Sequence, residues 1–162
     1  MKIVVVAPWR FAKSSPWLDA VTEYKSRLIA ASHQVQLLEP IRQLASSSET
    51  DQFLITQAEN LHKNRYQLIA LDENGKAYNS AQFASLIEKS MSNAPGIAFF
   101  CGGAYGLPAA LSPWISQSVS LSAMTMAHEL AYAVLMEQLF RAHAIICHHP
   151  YHHGQVSKFV KP

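Results

Sequence analysis

Three short stretches hold residues whose types and spacing could do chemistry. Gly102-Gly103-Ala104-Tyr105-Gly106-Leu107 follows an apolar run, and glycines let backbone N–H groups come close to a phosphate or a nucleoside. The G-G-x-x-G order is not the dinucleotide fingerprint, and the loop lacks the lysine and hydroxyl residue of a P-loop. In isolation, a turn needing positive φ explains it equally well. Ser120, Ser122 and Thr125 offer hydroxyls with no acid-base pair beside them, so ligand binding or turn capping ranks above nucleophilic attack. The run Cys147-His148-His149-Pro150-Tyr151-His152-His153 carries ligands that soft divalent metals prefer. Its spacing is not that of a zinc finger, and no second Cys/His pair stands upstream. His128 and His143 lie on the helix before it. The reading assigns no metal and gives these histidines a substrate-facing or interface role.

Other residues near these stretches have plainer explanations. Arg141 falls in the last turn of the long helix, where a cation complements the dipole, and Glu137 is its i,i+4 partner. Met124 and Met126 read as core filling.

The elements that position these groups follow from periodicity. Residues 3–7 are a continuous apolar run closed by Pro8, which suits a strand buried on both faces. Ser15-Pro16 opens a helix with Leu18, Val21, Leu28 and Ile29 on one stripe. Val35 and Leu37 alternate with polar neighbours before Pro40, a less buried strand. Residues 45–50 are serine-rich and read as a loop, followed by a helix over 51–62 with Leu54, Ala58 and Leu61 inward. Residues 66–71 make a third strand, and 73–76 a turn. Ser80 caps a helix over 81–91 with Phe83, Leu86 and Ile87 inward. The strand over 97–101 then enters the glycine loop, residues 108–114 give a helical turn, and 119–121 a last strand. A helix over 127–142 buries Leu130, Val134, Leu135 and Leu139. The β-α-β-α-β-α-β order predicts an α/β fold, a mainly parallel sheet flanked by helices. Ligands of such sheets bind beyond the carboxyl ends of the strands, where both small-residue loops fall.

Composition sets the class. The chain has 162 residues, 49% hydrophobic and 15% charged, enough for one folded core. A net charge of +2 permits a nucleic-acid partner without demanding one. Cys101 and Cys147 suggest no disulfide framework, and no apolar run approaches a membrane span or a signal peptide. A soluble cytoplasmic protein is expected, one domain over 1–154 with a flexible tail over 155–162.

The order strand-GG-x-x-GL, then Ser120-Leu121-Ser122-x-Met124-Thr125-x-x-His128-x-Leu130, then Glu137-Gln138-Leu139-Phe140-Arg141-Ala142, then Pro150-Tyr151-His152 closely resembles the RlmH-type (YbeA-like) ribosomal RNA large-subunit methyltransferases of the SPOUT superfamily. The likeness is dense over 96–153 and looser upstream, through Thr22-Glu23-Tyr24 and Leu71-Asp72. It implies the SPOUT (α/β knot) fold with a C-terminal trefoil knot, and a homodimer. It implies S-adenosyl-L-methionine as cofactor and methylation of N3 of a pseudouridine in 23S rRNA of the assembled ribosome.

Carried over residue by residue, Leu71, Gly102, Leu121, Ser122, Ala123, Met124, Thr125 and Met126 hold the cofactor. Tyr151, His152 and Arg141 face the RNA, and His152 is the catalytic base. Two positions depart from the family. Tyr132 stands where members commonly have arginine, four residues after His128, and His153 stands where they have a basic residue. The chain also runs on to Pro162, where Lys158 and Lys161 could restore charge toward RNA phosphates. A related enzyme for another RNA, or a non-catalytic ribosome-binding relative, stays open at this point.

Overall fold

The computed structural model describes residues 1–103 and 105–153. The 155–162 tail expected from the sequence and Ala104 of the glycine loop lie outside the described residues. Five strands, β1 (Lys2–Val6), β2 (Gln34–Leu38), β3 (Gln67–Ala77), β4 (Gly96–Cys101) and β5 (Gln117–Ser120), form one parallel sheet in the order β2-β1-β4-β3-β5. The helices are α1 (Leu18–Ala30), α2 (Ser47–Lys63), α3 (Ser80–Asn93) and α4 (His128–Ile146), with a short 3-10 turn over Ala109–Leu111.

The sheet is covered on both sides, which is why β1 and β4 are apolar throughout. Ile3, Val5, Ile97 and Phe99 face a core closed by α1, α3 and α4. Val4, Val6, Ala98 and Phe100 face a second core closed by α2 and Leu111 of the 3-10 turn. Phe99 and Phe100 are wholly buried on opposite faces, each worth about 1.5–3 kcal/mol of transfer free energy. β2 is an edge strand and only half-buried, as its alternating sequence predicts. Among the described residues no helix is long and apolar enough to cross a membrane.

Several element boundaries differ from expectation for local reasons. Ser15 does not cap α1, which begins at Leu18; its hydroxyl instead donates to Glu129 at 2.6 Å. The serine run at 45–50 is mostly helix, because the Ser46 hydroxyl accepts the Glu49 N–H and starts α2 at Ser47. Asn79, not Ser80, caps α3, in a reciprocal capping box with Gln82. Residues 73–76 do not reverse the chain. The Asp72 side chain accepts the Asn74 N–H at 2.8 Å, and the strand bulges out, then pairs with β5 again at Lys76 and Ala77. On α4 the buried set is Tyr132, Ala133, Leu135, Met136, Leu139, Phe140, Ala142 and Ala144, with Leu130 and Val134 only half-buried. That burial spans more than one stripe because α1 and α3 both pack on α4.

Candidate functional site

β4 ends at Cys101, and the glycine loop turns at once. A Cβ built on Gly102 would stand 2.6 Å from the Gly106 carbonyl carbon, so no larger side chain fits there. Gly106 has φ +78°, and its N–H donates to the Gly103 carbonyl at 3.0 Å, which closes the turn. β5 ends at Ser120, and the following loop is held by its own hydroxyls. Ser120 Oγ donates to the Ser122 carbonyl (2.9 Å), and Ser122 Oγ accepts the Met124 N–H (2.9 Å). These two serines therefore shape the turn rather than act as nucleophiles. Thr125 Oγ1 donates to Glu73 Oε2 at 2.7 Å, tying the loop to the β3 bulge.

These three segments enclose a cleft of about 720 Å³ at the carboxyl end of β4 and the bulge of β3. Leu71, Gly102, Thr125 and Met126 line it, and a smaller hollow of about 120 Å³ adds Leu121, Ser122 and Met124 against the same Leu71, Thr125 and Met126. Seven of the eight residues expected to hold a cofactor thus gather at one place. The eighth, Ala123, lines neither hollow. The cleft walls also include Trp9, Asp72, Glu73, Asn74, Tyr105, His128 and Ala131, which the sequence reading did not select. Their signal was indirect, since Trp9 follows the first strand and Tyr105 and His128 sit inside the two motifs.

The charges on the walls are selective. Asp72 and Glu73 line the cleft, and among the described residues no lysine or arginine does. A phosphate would be repelled, whereas a nucleoside carrying positive charge is favoured. Trp9 is 6% exposed and lies edge-on to His128 (4.4 Å between centroids), and its Nε1 has no partner among the described residues. A second hollow of about 810 Å³ lies across the glycine loop and shares Trp9, Tyr105 and His128 with the first. Tyr105 is 92% exposed and Met124 76%, so neither serves as core filling; Met126 is half-buried in the cleft wall.

Tyr132 turns out to be a core residue. It is fully buried, with ring-edge contacts to Trp9 and Phe11, and burial pushes its hydroxyl pKa up, which keeps it neutral. The missing arginine at this position therefore removes no charge from a surface in this chain.

Tyr151, His152 and Arg141 line neither hollow of their own chain. They cluster at the other end of α4. Tyr151 Oη donates to Glu137 Oε1 (2.8 Å) and lies 3.1 Å from the Tyr24 hydroxyl. Arg141 pairs with the same Glu137 and lies over the Tyr151 ring at 4.8 Å, and Arg27 flanks that ring at 6.0 Å. Burial, then the bonds to Tyr24 and Glu137, raise the Tyr151 pKa, so the phenol stays protonated. His152 is half-buried, and among the described residues its Nδ1 has no partner.

Comparison with known proteins agrees with this geometry. A family model described as "Predicted SPOUT methyltransferase" matches residues 1–152. The chain is similar to a protein from Parabacteroides distasonis named ribosomal RNA large subunit methyltransferase H, 35% identical over 85% of this chain and 90% of the relative. Proteins of the same name from Nitratidesulfovibrio vulgaris and Campylobacter hominis are 45% and 44% identical. Those matches cover 53% and 56% of this chain, and 56% and 57% of the relatives.

Proposed function

This chain belongs to the SPOUT methyltransferase family, and from that premise we propose that it moves a methyl group from S-adenosyl-L-methionine to N3 of a pseudouridine in 23S rRNA of the assembled ribosome. The observation that carries the reading is the convergence of two small-residue turns and the β3 bulge on one acidic-walled cleft.

The residues fit that cofactor. Gly102 leaves a space that a Cβ would fill, Leu71 and Met126 offer apolar surface, and Asp72 and Glu73 suit a cation. When bound, S-adenosyl-L-methionine supplies a methyl group already activated by its sulfonium, so on the methyl side the protein mainly aligns the reacting atoms. The bulge and the loop, joined through Thr125 and Glu73, hold the walls at fixed spacing. Tyr105 and the hollow beyond the glycine loop give room for an unstacked base.

N3 of the target base is a poor nucleophile until it loses its proton. His152 takes that proton at a ring nitrogen, and Tyr151 and Arg141 orient the nucleotide. Because these three residues lie away from their own chain's cleft, the enzyme works as a homodimer in which a second copy brings them to it. The proposal includes residues 1–154 as the catalytic domain, the cytoplasm as the place where ribosomes are met, and the C-terminal trefoil knot. Support for the knot comes from the strand order, in which the chain leaves β4 and passes β3 to reach β5.

Mass spectrometry of rRNA nucleosides from a strain lacking the gene tests the reaction. One methylated pseudouridine should vanish and return on complementation, whereas an unchanged large-subunit RNA contradicts the assignment. A short naked hairpin should be a poor substrate, since a small, mildly basic protein needs the shape of the particle.

A further inference from the structure

Helices α1 and α4 end side by side in the same way, each closed by a non-glycine residue in the left-handed region. Ser32 (φ 64°) lets the His33 N–H reach the Leu28 carbonyl, and His148 (φ 52°) lets the His149 N–H reach the Ala144 carbonyl. The two closures bring His33 against His143, 110 residues away, with Nε2 and Nδ1 3.0 Å apart. Cys147, one turn on along α4, sets its Sγ 3.7 Å from the same His143 nitrogen. His33, His143 and Cys147 line one pocket of about 280 Å³ together with Met1 and Met91.

We propose that His33, His143 and Cys147 bind a thiophilic d10 metal ion, with zinc as the ion the site fits. Zinc at about 2.0–2.1 Å from nitrogen and about 2.3 Å from sulfur has tetrahedral edges of about 3.3 Å (N···N) and about 3.6 Å (N···S). The observed 3.0 and 3.7 Å lie on either side of those edges. Among the described residues no three such side chains already surround one point, so rotation of the exposed Cys147 toward His33 completes the set.

The imidazoles are suited to the task. His33 is 8% exposed, yet among the described residues its Nδ1 has no partner, so its tautomer is set through the His143 contact alone. With hydrogens on the outer nitrogens, both lone pairs face the 3.0 Å gap, and a metal beside the line between them would take the place of the hydrogen the rings otherwise share. Burial pushes the His33 pKa down to about 4 and also lowers that of His143, which keeps both rings neutral near pH 7. Binding releases one proton to solvent, from the Cys147 thiol, and water takes the fourth position. Because Cys147 caps α4 just before Tyr151, the metal fixes the base of that segment without entering the cleft.

The test uses the full-length chain, reduced, stripped with chelator and titrated with Co2+ as a spectroscopic stand-in. One equivalent should give tetrahedral absorption with a thiolate-to-cobalt charge-transfer band, displaced by Zn2+. Cys147→Ser, at an exposed position, should abolish that band. His33→Gln should weaken binding by more than the roughly 10-fold to 100-fold that loss of an outer-shell partner costs. If His33→Gln does not fold by circular dichroism, half-exposed His143→Gln takes its place. Cys101 cannot imitate the signal, because its buried thiol is pushed up to about 12. Absence of a thiolate band overturns the proposal. So does a band of unchanged affinity in the histidine variants, which would assign the ion to Cys147 and the tail histidines.

Discussion

The two ends of α4 are built on opposite terms. At the start, Ala127 gives the helix no side-chain cap, and the loop before it is exposed or half-exposed. The cleft lies there, with backbone and hydroxyl groups that a ligand can engage. Toward its C-terminal end, Glu137, Arg141, His143 and Tyr151 all have partners from the helix itself, from α1 or from the α1–β2 junction. At the first end the walls leave an open cleft, whereas toward the second the side chains are packed and bonded to one another. On this account the loose end holds the cofactor, and the tied end presents the residues that act on RNA in a second copy's cleft.

The largest effect should come from the tied end acting at a distance. His152→Ala should lower methylation about 10²-fold to 10⁴-fold, the usual share of general base catalysis, with S-adenosylmethionine affinity unchanged. Turnover assays beside calorimetry check this, and equal loss of both quantities would merge the two ends into one function. Mixed dimers of His152→Ala with a cofactor-binding variant should regain part of the activity if the site spans two copies.

Next in size is acid sensitivity. His33 has a folded pKa of about 4 against 6.5 unfolded, so the unfolded chain binds the proton more readily. Stability is therefore complete above pH 6.5 and falls as the pH drops toward 4. The loss should be about 2 kcal/mol, less than the whole shift implies because the ring borders an open pocket. Denaturant titrations at several pH values should show this slope in the parent chain and a flatter one in His33→Gln.

Much of this division was legible in the sequence, though unevenly. The apolar runs at 3–7 and 97–101 could only be buried strands, and Leu54, Ala58 and Leu61 did mark the inner face of α2. The serines before α2 misled because the composition of a loop and that of a helix cap are alike; only the Ser46–Glu49 bond decides between them. The two small-residue turns could be found because glycine and serine motifs announce themselves. Trp9 and Asp72 reach the cleft only through sheet order, and His33 meets His143 across 110 residues, so neither arrangement has a local signature. Tyr132 read as a lost surface charge because a helix buried on several sides blurs the periodicity that separates inside from outside.

Smaller changes sharpen the contrast. Tyr151→Phe keeps the ring between Arg141 and Arg27 but removes the bonds to Glu137 and Tyr24, and should cost about 1 kcal/mol in denaturant unfolding. Arg42→Ala breaks a solvent-exposed pair with Glu49 at the start of α2, and should leave the unfolding midpoint close to the parent's. A larger loss there than at Tyr151 would mean that the tied end is not special.

The most direct measurement of the central claim is a calorimetric titration of S-adenosylmethionine into the parent chain and into Gly102→Val. The account predicts saturable binding to the parent and none to the variant, whose added side chain meets the Gly106 backbone, while circular dichroism shows both folded. Absence of binding to the parent, or undiminished binding to the variant, would contradict it.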